Sequence, residues 1–384
     1  MNTFIQINVN LVLKKGIGCN NAIHVVKETI DFFTKNDSTI NIGCLDLSKA
    51  FDKINHYGLL SKLMQRNVPI KIVIMLKDWY SKNSFQVVWN FVLSTQYKLE
   101  CGVRQGSVLS PALFSLYVDD LLKLLASSNY GCFIGLRCLN SLMYADDIIL
   151  LSISVSDMQG LVDVCMKFLS ELDLPINMSK CNFIRVGNRC RAVCVPICFN
   201  NINFEWVQQI RYLGVYIVNA KTFSCDYSNA RKKFFRAFNA IYSRVGSRDT
   251  SSLLVSMLLT NCTPILLYGT DATGTDKYEF KRLCNSYDRA FMKIFGSFDC
   301  KIVAQCQWYS HWLDFSHLLD LHRLNYLRRI CNICQLDHEN ICNFSNSFFE
   351  KSKLMDKYGI LEQDNTLMIK HKISEHFGNI VMLY

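Results

Sequence analysis

The segment LMYADDIILL, residues 142–151, places two adjacent carboxylates, Asp146 and Asp147, inside an otherwise apolar run. Two unit charges about 4 Å apart repel by about 4 kcal/mol at an effective dielectric near 20, and burial also removes their hydration. A fold can offset this cost by leaving both groups in solvent at a tight turn, by protonating one of them, or by binding cations. The apolar flanks predict paired strands in every case, so the pattern alone leaves both a turn and a metal site open.

The composition is that of a globular protein with two or three domains. The 384 residues are 50% hydrophobic, which is enough for buried cores. The formal net charge of +10 fits a polyanionic partner, although many proteins of similar charge bind none. Eighteen cysteines without a secretory signal predict free thiols in an intracellular compartment, nuclear or cytoplasmic. No run of 18 or more apolar residues occurs, so we expect no membrane span.

Strand and helix patterns in the first half of the chain place a third aspartate near the pair. Residues 20–35 predict a helix capped by an asparagine, and residues 39–47 alternate like a strand that delivers Asp46 near its end. Residues 56–81 predict two helices separated by Pro69. If the strand pairs with the hairpin, all three carboxylates lie on neighbouring strands of an α+β layer.

A second acidic pair, Asp119 and Asp120 in YVDD, has the same form as YADD at residues 144–147. Ser110 and Pro111 predict the start of a helix through this pair. The predicted core face of that helix contains Leu113, Tyr117, Leu121 and Leu124. Neighbouring helical side chains point about 100° apart, so we expect the acidic pair at the solvated edge of the helix.

The pattern after the hairpin continues with one more helix and several strands. Ser156 and Gln159 have capping-box spacing and predict the helix start. The predicted buried face contains Leu161, Cys165, Phe168 and Leu172. Residues 181–187 predict a strand, and residues 193–204 predict a hairpin that turns at Asn200 and Asn201.

Beyond about residue 222 the strand signals fade and the pattern is helical. ARKKFFRAFNAIYSRVG, residues 230–246, interleaves basic and aromatic residues. Residues 221–260 contain seven basic and two acidic residues, a net +5 that is half of the formal excess. These basic side chains form either an ordinary solvated helix face or a surface that contacts phosphates.

Carboxylates on adjacent strand ends supply the oxygen ligands that hard divalent cations require. Two such ions about 3.5 to 4 Å apart can activate an attacking hydroxyl and stabilise a leaving oxygen during in-line phosphoryl transfer. Asp46, Asp146 and Asp147 are therefore the candidate ligands.

Five segments resemble, in order, the palm motifs of reverse transcriptases of the non-LTR (LINE-type) retrotransposon family. They are CLDLSKAFDKINH, GVRQGSVLSPALFSLYVDDLL, LMYADDIILL, LPINMSKCNFIRVG and IRYLGVYI. The resemblance covers roughly Gly16 to Val218 and assigns YVDD to the tail of the second motif. TPILLYG and the helical remainder resemble the thumb and the region after it.

This resemblance implies an α+β fold: a right-hand polymerase palm with residual fingers, followed by an all-α thumb and a C-terminal extension. The implied domains are a residual fingers segment at 1–39, a palm at 40–219, a thumb at 220–300 and a helical extension at 301–384. The implied activity is RNA-directed DNA polymerisation, with an RNA template, a DNA primer and dNTP as partners.

The resemblance also implies a role for each matched residue of the catalytic centre. Asp46 and Asp146 would ligate two Mg²⁺ ions, with Mn²⁺ as a substitute, Asp147 would be the third carboxylate, and the Leu47 carbonyl would be a main-chain ligand. Lys180 matches the lysine that protonates departing pyrophosphate.

Further matched positions concern substrate and primer. Phe51 occupies the bulky position that collides with a ribose 2′-OH, which also disfavours an RNA polymerase on the same palm. Gln105, Gly106 and Tyr144 would contact the nascent pair, and a side chain at 106 would obstruct its approach. The turn at Leu213 and Gly214 would position the primer end. The implied nucleic-acid contacts of the thumb are Arg231, Lys232, Lys233 and Arg236.

Two features leave alternatives open. KKGIGCNNAI resembles the last finger motif, and the finger strands that normally precede it and hold the triphosphate are not found. The alternative is therefore a truncated or degenerate fragment that binds nucleic acid without catalysis. CNICQLDHENIC contains Cys331, Cys334, His338 and Cys342, but its gaps are shorter than those of retroelement zinc knuckles, so zinc binding and coincidence both stand.

Overall fold

The computed structural model describes residues 5–6, 18–135, 137–245, 252–336 and 345–383. Its helices are α1 (Cys19–Lys35), α2 (His56–Gln65), α3 (Ile70–Lys82), α4 (Ser110–Ser127), α5 (Val155–Glu171), α6 (Ser228–Val245), α7 (Ser252–Met257), α8 (Thr263–Leu267), α9 (Thr270–Thr273), α10 (Lys277–Phe295), α11 (Cys300–Tyr309), α12 (Phe315–Leu336), α13 (Ser345–Tyr358) and α14 (Thr366–Val381). Its strands are β1 (Ile5–Gln6), β2 (Thr39–Asp46), β3 (Ser84–Phe85), β4 (Val88–Trp89), β5 (Val92–Leu93), β6 (Tyr97–Lys98), β7 (Phe133–Ile134), β8 (Arg137–Cys138), β9 (Ser141–Tyr144), β10 (Asp147–Ser152), β11 (Asn182–Gly187), β12 (Ile197–Phe199), β13 (Ile202–Phe204), β14 (Gln209–Tyr212) and β15 (Val215–Val218). Two 3₁₀ turns cover Ala50–Lys53 and Met178–Lys180, and a π-helical turn at Leu258–Cys262 lies between α7 and α8.

The chain divides into two compact units. Among the described residues, the first unit contains those up to Ala22, Phe32–Tyr212 and Asn219–Thr222. The second contains Ile23–Asp31, Leu213–Val218 and the described residues from Phe223 onward. Every regular element described beyond Val218 is helical, as the sequence pattern predicted.

A four-stranded antiparallel sheet is the centre of the first unit. Its strand order is β11-β2-β10-β9, and β9 and β10 form the predicted hairpin. In the register between β10 and β2, Asp147 is paired with Asp46 and Ile148 with Leu45. The expected pairing of the strand that ends at Asp46 with the hairpin is therefore confirmed.

One face of this sheet packs against helices α4 and α5. Leu45, Ile148 and Phe183 of the sheet belong to the same buried cluster as Phe114 and Leu161 of the helices. Gly43 makes room for the Phe183 ring of the neighbouring strand and for Met158 of α5, since a Cβ there would lie 2.6 Å from that ring and 3.2 Å from the Met158 sulfur. Fully burying one such apolar side chain contributes about 1.5 to 3 kcal/mol, so this layer holds the strand ends in a fixed register.

Three predicted helix starts differ in detail from the structure. Helix α1 follows Gly18, whose amide donates to the side chain of Asn21, so the asparagine caps from inside the helix. In α4, Ser110 is the first helical residue, and its hydroxyl donates to the carbonyl of Arg104. Helix α5 begins at Val155 after a Ser154 cap, two residues before the predicted cap at Ser156.

The side chain of Gln159 in α5 does not complete a capping box. Its amide group instead donates to the Cys198 carbonyl at 2.7 Å, and its oxygen accepts from the Cys198 amide at 2.8 Å. The competing partner is a strand edge 39 residues away, which a local pattern cannot reveal. Strands β12 and β13 form the predicted hairpin, with positive φ at Asn200 and Asn201.

The core face of α4 is rotated relative to the prediction. Leu113, Tyr117 and Leu121 are buried as expected, whereas Leu124 is 46% exposed and Leu125 is fully buried. Asp119 and Asp120 lie at the partly exposed edge of the helix, as predicted, and both pair with Arg66. The two aspartates of YVDD are therefore part of a surface ion-pair network.

The second unit has a helical core. Its buried cluster is formed by Leu313, Leu321, Leu324, Met355, Tyr358, Ile360, Ile369, Ile373, Phe377 and Val381. Arg323, almost fully buried, donates two hydrogen bonds to the carboxylate of Glu350. The cysteines whose side chains are described are free thiols, as predicted. None of the helices in the described ranges is both long enough and apolar enough to cross a membrane.

Candidate active site

The carboxylates of Asp46 and Asp147 lie on one face of the central sheet. Asp46 is the last residue of β2 and Asp147 the first of β10, and the two are direct cross-strand partners. The Cβ atoms of such partners lie about 4.5 to 5.5 Å apart. Because side chains alternate along a strand, both point to the face opposite Leu45 and Ile148, away from α4 and α5.

Asp146 lies in the turn that joins β9 to β10. Ala145 and Asp146 are the two turn residues between Tyr144 and Asp147, which are themselves paired. Ala145 has φ 55°, a left-handed value that is uncommon for a residue with a Cβ. The tight turn is therefore present, and the metal site, which was the alternative interpretation, stays a prediction.

Burial and like charge act together on Asp147. Desolvation, followed by the negative charges of Asp146 and Asp46, raises the pKa of Asp147 to about 6. The positive charges of Arg211 and Lys180 oppose this shift. The positive charges of Arg211 and Lys180 therefore do not fully offset the burial of Asp147 and its repulsion by the other two aspartates.

Lys180 makes an ion pair with Asp46. Its ammonium nitrogen lies 3.2 Å from the Asp46 carboxylate, and its side chain is 64% exposed. The 3₁₀ turn that carries Lys180 is tied to β2, because the Asn177 amide donates to the Asp46 carbonyl. The predicted catalytic lysine is thus held next to a predicted metal ligand.

Leu47 continues the β2 backbone past Asp46. It forms an isolated antiparallel bridge with Ile176, in which the Ser48 amide donates to Pro175 and the Asp46 carbonyl accepts from Asn177. This bridge does not use the Leu47 carbonyl, the predicted main-chain ligand. The Leu47 side chain is buried in the helix-facing core.

The three aspartates meet at one end of the hairpin without forming a closed cage. Within the described ranges, no group of three or more His, Cys, Asp or Glu side chains is gathered closely enough to hold a metal ion. The donor chemistry still fits a hard divalent cation, because the candidate ligands are carboxylates, and desolvation followed by the like charges of Asp146 and Asp46 raises the pKa of Asp147.

Phe51 is placed beside the strand end by the 3₁₀ turn at Ala50–Lys53. Its ring stacks on that of Phe114, with centroids 4.9 Å apart and 25° between the planes. Its carbonyl accepts a hydrogen bond from the Val103 amide. The ring is half-buried, so one side packs on the core while the other is accessible.

The loop that carries Gln105 and Gly106 is anchored by Asp52. The Gln105 amide group donates to the Asp52 carboxylate at 3.0 Å, and Gly102 lies so close that a Cβ would be 2.8 Å from the Asp52 carbonyl oxygen. Gly106 has φ +83°, and nothing lies within 4 Å of where its Cβ would be. Within the protein, glycine is required at 106 by backbone conformation.

Arg211 was not among the predicted site residues. Its charge lowers the pKa of Asp147, although the charges and burial that raise it prevail. Its position inside the IRYLGVYI motif, two residues before Leu213, was the sequence signal that could have identified it. Only the fold shows that this arginine is near the hairpin aspartates.

A family model described as reverse transcriptase (RNA-dependent DNA polymerase) matches residues 17–217, more than half of the chain. The chain belongs to the reverse transcriptase family. The five ordered motifs lie within or overlap the matched region, so the resemblance seen in the sequence is confirmed.

Relatives of this reverse transcriptase chain are proteins of mobile elements, which agrees with the non-LTR resemblance. It is 24% identical over 341 residues to the RNA-directed DNA polymerase from mobile element jockey of Drosophila melanogaster, covering 86% of this chain and 35% of that protein. It is 29% identical over 180 residues to the retrovirus-related Pol polyprotein from type-2 retrotransposable element R2DM of the same species, covering 47% and 17%. The chain thus spans about a third or less of these relatives. An apo telomerase structure from Candida tropicalis matches with a TM-score of 0.44 and 12% identity, over 96% of this chain and 57% of that one.

Leu213 and Gly214 form a turn in the second unit of the reverse transcriptase chain. Both have positive φ, 43° and 86°. The Tyr268 hydroxyl donates to the Leu213 carbonyl at 2.8 Å, and a Cβ on Gly214 would lie 2.8 Å from the Tyr268 ring. The turn is therefore held by a side chain from beyond the matched region.

Helix α6 presents its basic residues to solvent. Lys232, Lys233 and Arg236 are exposed, and Arg231 is half-buried. Phe234 and Phe238 form the buried face of the same helix. Lys232, Lys233 and Arg236 thus lie away from the buried aromatic face, whereas Arg231 lies beside it with its Nε buried.

The Cys-rich run lies largely outside the described residues. Cys331 is buried in α12. The side chain of Cys334 and all of His338 and Cys342 fall outside what the structure describes.

Proposed function

We propose that this chain is an RNA-directed DNA polymerase that extends a DNA primer along an RNA template. The observation that carries the proposal is the cross-strand pair of Asp46 and Asp147 beside Asp146, within a chain of the reverse transcriptase family. The primer 3′-oxygen forms a bond to the α-phosphorus of dNTP, the bond to pyrophosphate breaks, and the hydroxyl proton is lost.

Asp46, Asp146 and Asp147 would hold two Mg²⁺ ions, or Mn²⁺, with the Leu47 carbonyl as a further oxygen ligand. When bound, such ions lower the pKa of the attacking hydroxyl and stabilise charge on the leaving oxygen. The carboxylates supply the negative potential, and the raised pKa of Asp147 supports this assignment.

Lys180 is proposed as the proton donor to pyrophosphate. Its ion pair with Asp46 holds the ammonium close to the reacting centre. The stem that reaches into solvent lets the ammonium move from the carboxylate to a departing phosphate.

Phe51 is proposed to exclude ribonucleotides by contact with a 2′-OH, because its ring is braced by Phe114. Gln105, Gly106 and Tyr144 are proposed to contact the template and the nascent pair. The Gln105 loop is preorganised for this by its bond to Asp52.

The right-hand architecture belongs to the same proposal. The sheet with α4 and α5 would be the palm, residues 1–39 a residual fingers segment, and residues 220–300 the thumb, followed by the extension at 301–384. The turn at Leu213 and Gly214 would position the primer end. Arg231, Lys232, Lys233 and Arg236 would contact phosphates of the duplex.

Primer extension on an RNA template with Mg²⁺ tests the proposal. We expect dNTP-dependent extension by the wild type and none by Asp146→Ala. Asp119→Ala is the matched control, because it removes the same group from the similar YVDD segment on the surface of α4. It should retain activity. Tight primer-template binding without aspartate-dependent product would favour the non-catalytic alternative.

A further inference from the structure

A cavity of about 310 Å³ lies at the end of β11 that is remote from the aspartates. It is lined in part by Arg185, Arg191, Cys194, Glu205, Trp206 and Asn219. Arg185 is paired with Asn41 of β2, five positions before Asp46. At about 3.3 Å per strand residue, the cavity is roughly 16 Å from the catalytic candidates.

Arg185 is a buried charge in this cavity that makes no ion pair with a described residue, although the Glu205 carboxylate is part of the same lining. Its exposed fraction is 9%, one terminal nitrogen donates to the Ala192 carbonyl at 2.9 Å, and its Nε is buried without a hydrogen-bond partner. Its guanidinium carbon lies 5.9 Å from the centre of the Trp206 ring. Within the described part of the chain, no carboxylate lies within 4 Å of it.

A buried guanidinium is normally paired, because its lost hydration must be replaced. One neutral carbonyl and one aromatic face replace only part of that hydration. The Nε donor is covered and has no acceptor, so an incoming acceptor in the cavity would meet the terminal nitrogen that does not bond to Ala192. An oxyanion supplies both the missing charge and the missing acceptor.

The other polar groups of the cavity indicate the kind of oxyanion. Asn219 donates to the Cys190 carbonyl, while its own side-chain oxygen is buried without a donor. A ligand that fits both Arg185 and Asn219 carries an anionic acceptor and a hydroxyl or amine donor. Arg191, which is exposed, adds a second positive charge at the rim.

We propose that this cavity binds a phosphate-bearing ligand of mononucleotide size, at a site separate from the aspartates. A phosphate group would face Arg185, and a ligand hydroxyl or amine would donate to Asn219. The volume is at the lower end of that of small-molecule sites. A free mononucleotide and the 5′-phosphate of a strand share this chemistry.

Binding is measured by calorimetry and thermal shift in EDTA at constant ionic strength, with inorganic phosphate, AMP, and an oligonucleotide with or without a 5′-phosphate. We expect saturable binding of phosphate and AMP to the wild type and to Asp146→Ala alike. Arg185→Met should weaken binding by about tenfold or more, the value of a charge-assisted hydrogen bond. Arg189→Met, an exposed neighbour outside the cavity lining, is the matched control and should bind like the wild type.

Ligand-free Arg185→Met is expected to melt at the wild-type temperature or above it, since an unpaired buried charge is removed. Tighter binding of the phosphorylated oligonucleotide than of AMP assigns the strand end, and the reverse order assigns the free nucleotide. Equal affinity of Arg185→Met and the wild type, or no saturable binding to the wild type, overturns the proposal. If Arg185→Met does not fold, Arg191→Ala serves instead, and unchanged affinity for every probe counts against the site.

Discussion

Asp147 on β10 lies directly opposite Asp46 on β2, and Lys180 makes an ion pair with Asp46. The site therefore holds like charges together by strand register and offsets them in part with the positive charges of Lys180 and Arg211. A protein without bound metal carries the remaining repulsion as a cost to stability.

Replacing Asp147 by Asn should raise the melting temperature of the metal-free protein, because it removes a desolvated like charge. The pKa of Asp147 is raised from 3.8 to about 6, so the folded state binds the proton more tightly than the unfolded state. The penalty is complete above pH 6 and is relieved as the pH falls toward 4. The difference between the melting temperatures of Asp147→Asn and wild type should therefore shrink over that interval. Asp119→Asn breaks an attractive ion pair and should lower the melting temperature. If the melting temperature of Asp147→Asn exceeded that of the wild type by the same amount at every pH, the charge of Asp147 would not be the cause.

Lys180→Met should lower the rate of primer extension by about 10² to 10⁴-fold, the usual range for a general acid. Its stability should change by less than about 1 kcal/mol, because an exposed ion pair contributes little. Single-turnover extension and urea unfolding measure the two effects. Lys167→Met, on an exposed position of α5, is the control for loss of one surface charge. An unchanged rate in Lys180→Met would remove its assigned role.

Phe51→Ala should lower the preference for dNTP over rNTP by roughly tenfold or more, because the ring that would meet a 2′-OH is lost. Loss of the stack on Phe114 should also destabilise the fold by about 2 kcal/mol, less than for a fully buried phenylalanine. Competitive incorporation assays check the preference. Phe51→Tyr keeps the ring and should retain the preference for dNTP. An equal loss of that preference in both variants would argue against exclusion of the 2′-OH by the ring.

Gly102→Ala should destabilise the protein more than Gly106→Ala. Both residues have positive φ, but only a Cβ at 102 meets backbone, 2.8 Å from the Asp52 carbonyl oxygen. We expect about 1 kcal/mol for the conformational cost at 106 and roughly 2 to 4 kcal/mol at 102. Urea unfolding measures both, and Gly106→Asn should be milder than Gly106→Ala because asparagine tolerates left-handed φ. Equal losses at 102 and 106 would show that the close contact does not matter.

Changing Lys232, Lys233 and Arg236 together to Gln should weaken primer-template binding and flatten its salt dependence. Each lost phosphate contact reduces the slope of log K against log salt concentration by about 0.9 on a duplex. Titrations at several salt concentrations should show a slope reduced by nearly the amount that corresponds to three phosphate contacts. Lys353→Gln with Lys370→Gln removes two positive charges from exposed positions on α13 and α14 and should leave the slope nearly unchanged.

The acidic trio could be predicted because its evidence is local. Two-residue periodicity placed Asp46 and the Asp146–Asp147 pair at strand ends, and the order of motifs indicated the family. Side-chain contacts were harder to predict from the sequence. Leu124 and Leu125 are both apolar on α4, and which of them is buried depends on the layer packed against the helix. Gln159 has the spacing of a capping box but pairs with Cys198, because the strand edge offers both a donor and an acceptor.

The sequence by itself determined which residues can carry the chemistry, because backbone periodicity and motif spacing are properties of neighbouring residues. It determined the hairpin, the helical second half and the solvated position of YVDD for the same reason. Only the tertiary structure decided that Asp147 is desolvated, that Lys180 is held at Asp46, and that Arg185 is buried without an ion pair to a described residue. Desolvation and charge pairing depend on segments far apart in the chain, and no local pattern contains them.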